Sequence, residues 1–241
     1  MQIFRFACTI LALFLILATA ATLKAQKTEI ALTGGILNST YKFEEQATYP
    51  NTASFIFPWE GTYSRTNALI GADLLHSLSK HWQVKTGLHF YLTGYVQETD
   101  LMWPSEFTIE GYKPSLPNER LVINHLFLEV PLLFRYRFTE KRLTPYAEAG
   151  ISTNYYLTTG IKERLEGNTK KFRQRNEAIN PVNVALRVGA GVQYRLSEKH
   201  RVFLQPVLRY QLGSIEKTSV NPGIGWGLEA GWMLRLAGGK Q

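Results

Sequence analysis

Apolar and polar residues alternate through most of this chain, and the clearest run lies between Leu126 and Gly150. Leu126, Leu128, Val130, Leu132, Phe134, Tyr136 and Phe138 share one side of an extended chain. Phe127, Glu129, Pro131, Leu133, Arg135 and Arg137 share the other. Successive side chains of a strand point to opposite faces, so this run is a strand with one unbroken apolar face and one face carrying charge. The polar stretch 139–143 turns the chain. After it, Ala147, Ala149, Ile151 and Thr153 oppose Glu148, Gly150, Ser152 and Asn154.

Eight segments read this way: 28–41, 67–78, 82–97, the two arms of the hairpin within 126–150, 182–196, 201–212 and 224–236. The sixth is the cleanest, with Val182, Val184, Leu186, Val188, Ala190, Val192, Tyr194 and Leu196 against Asn183, Arg187, Gly189, Gly191, Gln193 and Arg195. The connections after the second, fourth and sixth segments are short. Two of these look like copies, Leu78-Ser79-Lys80-His81 and Leu196-Ser197-Glu198-Lys199-His200. Those after the first, third and fifth are long (42–66, 98–121 and 158–181), and 213–223 is intermediate. An even number of alternating segments of ~10 residues, with short turns at one end and long loops at the other, is the pattern of an antiparallel up-and-down transmembrane β-barrel with short periplasmic turns and long extracellular loops.

Alternation alone also fits a soluble barrel with its apolar face inward. Three features favour the membrane. The polar face carries mid-strand charges: Asp73, Lys85, Glu129, Arg135, Arg137, Glu148, Arg187, Arg209, Glu229 and Arg235. Gly71, Gly87, Gly150, Gly189, Gly191, Gly227 and Gly231 share that face, where small residues make room for long arginines in a narrow lumen. Aromatics lie near the ends of the apolar face, with Trp82, Tyr136 and Trp232 toward one rim and Tyr155, Tyr210 and Trp226 toward the other, as interfacial girdles require. Pro131 and Pro206 cannot donate to a ladder, so each predicts a bulge or a rim position.

Composition adds a compartment. Arg5 followed by the apolar run 7–17 and small residues reads as a signal peptide over 1–25, with the barrel domain at 26–241. The apolar run is shorter than the ~20 residues of a spanning helix. Cys8, the only cysteine, lies inside it, so the mature chain has no disulfide or thiolate chemistry. The formal charge is +8, and loss of Arg5 and Lys24 leaves about +6. A basic chain invites a nucleic-acid partner, but an export signal points instead to anionic lipid, lipopolysaccharide included, at the cell outer membrane.

The segments Leu128-Glu129-Val130-Pro131-Leu132-Leu133 and Pro145-Tyr146-Ala147-Glu148-Ala149-Gly150, with Arg187-Val188-Gly189-Ala190-Gly191-Val192 later, resemble the hallmark hairpin of PorT-like outer-membrane β-barrels. The resemblance spans the mature chain and names an architecture more than an activity. It implies a link to protein secretion across the outer membrane, in which some members are implicated. The chain departs from many outer-membrane barrels at its end. It closes Leu236-Ala237-Gly238-Gly239-Lys240-Gln241 instead of on an aromatic residue, which leaves an internal assembly signal around 232–236 or a tolerated extension.

The strongest polar constellation is Glu129, Glu148, Arg187, Arg209, Glu229 and Arg235. It reads as an ion-pair network filling a lumen that eight strands make just wide enough for side chains. The competing readings are a selective pore or a proton path. His76, His81 and His200 fall near the short turns, while His89 and His125 are expected near each other on the charged face, on adjacent antiparallel strands. No serine is placed for either of the last two to activate, and a two-histidine metal site needs further ligands. No catalytic residue, metal or cofactor is therefore expected.

Recognition residues concentrate on loops held by a rigid scaffold. The candidates are Phe55, Phe57 and Trp59 in the first long loop, Trp103 in the second, and Lys170, Lys171 and Arg173 in the basic third. They form an external interaction surface or pack together as a lid. The favoured reading is a non-enzymatic scaffold that touches lipid and an outer-membrane or periplasmic protein. The alternatives are a small-solute channel and a lipid-modifying enzyme.

Overall fold

The computed structural model describes residues 28–43, 61–99, 119–165, 168–176, 179–215 and 223–236. The expected signal segment 1–25 lies outside them, as do Phe55, Phe57, Trp59 and Trp103. Among the described residues nine strands form: β1 Thr28–Phe43, β2 Gly61–Ser77, β3 Trp82–Thr99, β4 Glu119–Arg137, β5 Leu143–Leu165, β6 Asn168–Gln174, β7 Val182–Arg195, β8 His200–Gln211 and β9 Ile224–Arg235. Every pairing is antiparallel. β1 pairs with both β2 and β9, and β4–β5 and β5–β7 complete the circuit, so eight strands close into a barrel.

The ninth strand corrects the expected irregular loop at 158–181. β5 last pairs with β7 at Tyr155–Val182, then continues to Leu165 with β6 as its neighbour. The reason is one extra residue. Phe127 faces Tyr156 while Leu126 faces Thr158, so Leu157 is a bulge. The bulge shifts the alternation by one, and Tyr156 and Thr159 both turn into the lumen, joined through their hydroxyls at 2.6 Å. A period of two read along the sequence stops at that point.

Neither proline behaves as expected. Thr86 faces Leu132 and His89 faces Glu129, so the β3–β4 register is unchanged across Pro131. The same continuity holds across Pro206, between Gly189–Val207 and Val192–Leu204. Each residue of an antiparallel strand turns its N–H to one neighbour only, so a mid-strand proline removes a donor on one side and leaves the other intact. Pro131 still pairs with Ser152, and Pro206 with Leu228.

The two similar turns are built alike. Ser79 Oγ accepts from the backbone N–H groups of His81 and Trp82 at 3.3 and 3.1 Å; Ser197 Oγ accepts from those of Lys199 and His200 at the same distances. The serines cap both turns, so Trp82 is the structural counterpart of His200.

The burial pattern is inverted relative to a soluble fold. Leu32, Ile36, Ile70, Phe90, Phe134, Val188, Leu208 and Trp226 are exposed on the outer face, while Glu129, Arg135, Glu148 and Glu229 are buried inside. Trp82 packs edge-on against Tyr136 at 5.0 Å, and Trp232 stacks with His200 at 5.1 Å, both at the turn end. The apolar belt between the rims spans roughly 20 Å for strands tilted about 40°, close to the ~25 Å of such barrels.

Candidate functional site

The lumen is filled by side chains from every barrel strand. Glu129 of β4 accepts hydrogen bonds from Arg187 Nη1 at 2.5 Å and from Arg209 Nη1, and Arg187 Nη2 also donates to Glu229. Gln205 Nε2 bridges Glu148 and Glu229 at 2.8 and 2.9 Å. Arg135 donates to Glu148, and Lys85 Nζ sits 3.4 Å from Asp73 and 3.6 Å from Glu148. Asp73 also accepts from Thr33 at 2.5 Å and lies 2.8 Å from His89 Nε2. Four carboxylates thus meet Lys85 and three arginines. Charges so far from water persist only when paired and hydrogen-bonded.

Apolar layers bracket this network. Ala31, Leu75, Tyr146, Phe203 and Met233 pack below it. The Arg135 guanidinium lies 4.0 Å from the centroid of the Tyr146 ring, and Tyr146 OH donates to Gln205 Oε1 at 2.6 Å. Leu37, Leu69, Tyr91, Phe127, Tyr156, Val207 and Ile179 pack above it. Ile179 comes from the connection between β6 and β7, and its backbone segment is fastened by Asn180 N–H to Ile215 O at 2.8 Å. A loop residue therefore stoppers the external mouth.

An outer surface of aliphatic and aromatic residues around a sealed, ion-paired interior is stable only in lipid. Residues 24–218 match the outer membrane protein beta-barrel domain family. The chain belongs to this family. It is an outer-membrane β-barrel protein. No curated protein matches its sequence. Among solved structures it is similar to Neisserial surface protein A, at 10% identity and a TM-score of 0.44 over 86% of this chain and 96% of that one. It is similar to Ail of Yersinia pestis, in complex with the heparin analogue sucrose octasulfate, at 12% identity and a TM-score of 0.40 over 86% and 99%. It is also similar to AlkL in DMPC lipid bilayers, at 12% identity and a TM-score of 0.45 over 90% and 94%.

Five of the six expected lumen residues of this outer-membrane barrel come together: Glu129, Glu148, Arg187, Arg209 and Glu229. Arg235 does not. It lies at the periplasmic rim with its side chain 44% exposed, 3.4 Å from Glu29. Its place on the inward face is right, but it is the last residue of β9, beyond the reach of the central acids. Gln205, Asp73, Lys85 and Arg135 also belong to the network, beyond the six residues expected from the sequence. The last three lie on the same charged face, which was signal enough to include them.

His89 and His125 are not neighbours across β3 and β4, because His89 faces Glu129 while His125 faces Thr93. His89 sits between Asp73 and Glu129, and His125 Nδ1 meets Thr159 Oγ1 at 2.9 Å. Among the described residues no three His, Cys, Asp or Glu are grouped to hold a metal ion. Of the basic loop candidates, Lys170, Lys171 and Arg173 all fall on β6. Lys171 pairs in register with Lys162, and the side chains of Lys162, Lys171 and Arg173 are exposed.

Proposed function

We propose that this barrel is a non-enzymatic outer-membrane scaffold that meets its partners through its external strands and loops. One observation carries the reading. The lumen is shut by side chains, whereas β3, β4, β5 and β6 continue past the barrel as a sheet whose β6 margin ends in lysine and arginine. A sealed interior leaves the work to the outside. Lys162, Lys171 and Arg173 suit phosphate-bearing head groups such as those of lipopolysaccharide, and the β6 margin suits a partner strand. His89 is held by two carboxylates and faces no nucleophile in the network, which supports a non-catalytic role. The likeness to PorT-like barrels adds the expectation that a protein partner belongs to secretion.

The test is a photo-crosslinking amino acid at position 171 or 173 in the native membrane, with position 204 on the lipid face as control. A protein adduct of discrete mass from 171 or 173, absent from 204, is the expected result. Adducts to lipid alone from all three positions would retire the protein scaffold.

A further inference from the structure

The periplasmic mouth concentrates positive charge around a cavity that the lumen network does not use. Arg137, Arg195, Arg201 and Arg235 converge there from the ends of β4, β7, β8 and β9, with Lys80 on the first turn. Arg201 and Arg235 meet on Glu29, and Arg137 and Arg235 line one cavity. The acids on the cavity wall are Glu29 on β1 and Glu140 on the second turn. Glu29 takes Arg201 Nη1 at 2.7 Å and Arg235 Nε at 3.4 Å on a single oxygen, Oε1, while its Oε2 has no hydrogen-bond partner.

Beside this pair lies a cavity of about 230 Å³ whose walls include Glu29, Ser77, Lys80, Arg137, Glu140 and Arg235. Arg137 is its notable member. It is 93% buried, being 7% exposed. Its Nη2 donates to the Lys80 carbonyl at 2.6 Å, yet its Nε–H has no acceptor. Arg195, half-buried and outside the cavity wall, has Nη2 on the Glu140 carbonyl at 2.8 Å and its Nε without an acceptor. Buried arginine N–H groups nearly always find an oxygen, and an unmet one beside a cavity marks where an oxyanion belongs.

We propose that this mouth is a binding site for a carboxylate-bearing peptide segment presented from the periplasm, with Arg137 as its anchor and Lys80 and Arg235 as flanking contacts. A guanidinium fork reads a planar carboxylate through two parallel N–H groups, and the surplus of cations steers an acidic chain toward it. Lipid phosphates are poorly placed to compete, because the cavity opens inside the strand circle and not on its lipid face. The site is independent of the external scaffold reading.

The experiment uses the full mature chain in nanodiscs of neutral phosphatidylcholine, titrated calorimetrically with N-acetyl-triglutamate amide. Saturable binding is expected, at least tenfold weaker in Arg137→Gln and partly restored in Arg137→Lys. Lys80→Gln, on an exposed turn that leaves the fold untouched, is expected to weaken binding severalfold, while Lys162→Gln/Lys171→Gln on the opposite end leaves it unchanged. Heat-modifiable gel migration confirms that each variant is folded. Absence of saturable binding, equal affinity in Lys80→Gln, or loss of binding in the Lys162/Lys171 variant would each overturn the site. Saturation by inorganic phosphate with none by the peptide would overturn the ligand class.

Discussion

Arg135 places both Nε and Nη2 on one oxygen of Glu148, at 2.9 and 2.6 Å, and the two residues face each other in register across β4 and β5. The pair is buried and shares its carboxylate with Gln205 and Lys85. Removing one partner strands the other. Glu148→Ala and Arg135→Met are each expected to cost ~3–5 kcal/mol, while the double variant costs less than their sum because no lone charge is left. Urea titrations of the refolded barrel in micelles, arranged as a double-mutant cycle, check this. Additive losses would mean that the two groups are not coupled.

Conductance should be absent. Among the described residues, the ion-paired layer and the apolar layers above and below it fill the barrel axis with side chains. In planar bilayers the wild-type protein is expected to give no unitary steps, and Ile179→Gly is expected to stay silent because the charged layer remains closed beneath it. Regular steps from wild type would favour a channel.

Polarity on the outer face is the sharpest test of the membrane position. Leu204 faces outward between the Val202–Trp232 and Leu208–Trp226 pairs of the two rims, closer to the first. Leu204→Arg is expected to destabilise the barrel in lipid by up to ~2–4 kcal/mol, the cost of arginine at a bilayer midplane. A chemical denaturation series in liposomes measures it, and a neutral outcome would contradict lipid contact at this position.

Two glycines are fixed by their surroundings. A Cβ on Gly71 would fall 2.3 Å from both the Leu88 carbonyl and the His89 ring, and one on Gly94 would fall 2.0 Å from the Ile123 carbonyl at a φ of 152° that disfavours other residues. Gly71→Ala is expected to cost about 1–3 kcal/mol by overpacking and to push His89 off Asp73. Denaturant midpoints and the His89 ring resonances report the two effects separately.

The mature chain is expected to begin at Gln26, and intact mass spectrometry of protein extracted from membranes gives the cleavage site directly.

Much of this architecture was legible because lipid and lumen impose opposite polarity on alternate residues, and the eight barrel segments declare it. The network was legible only in part. Sequence marks which residues face inward, so Glu129, Glu148, Arg187, Arg209 and Glu229 could be grouped. It does not mark their height along the axis, which depends on the stagger between strands, so Arg235 was placed among them instead of at the rim. β6 stayed hidden because the Leu157 bulge breaks the period of two, and because a strand pairing above the membrane has no lipid face to keep apolar. The anionic-ligand mouth was invisible for a related reason: its arginines sit at the ends of four strands distant in sequence, and only closure brings them together.

The buried network has a consequence for assembly. Its members come from all eight barrel strands, from Thr33 on β1 and Asp73 on β2 to Glu229 on β9. A half-formed sheet entering the bilayer would hold carboxylates and guanidinium groups with partners still missing, each costly in hydrocarbon. Only when β1 meets β9 is the set complete. The chain should therefore insert and close in one cooperative event, and the charges that look like ballast in the finished barrel act as a lock against stopping halfway.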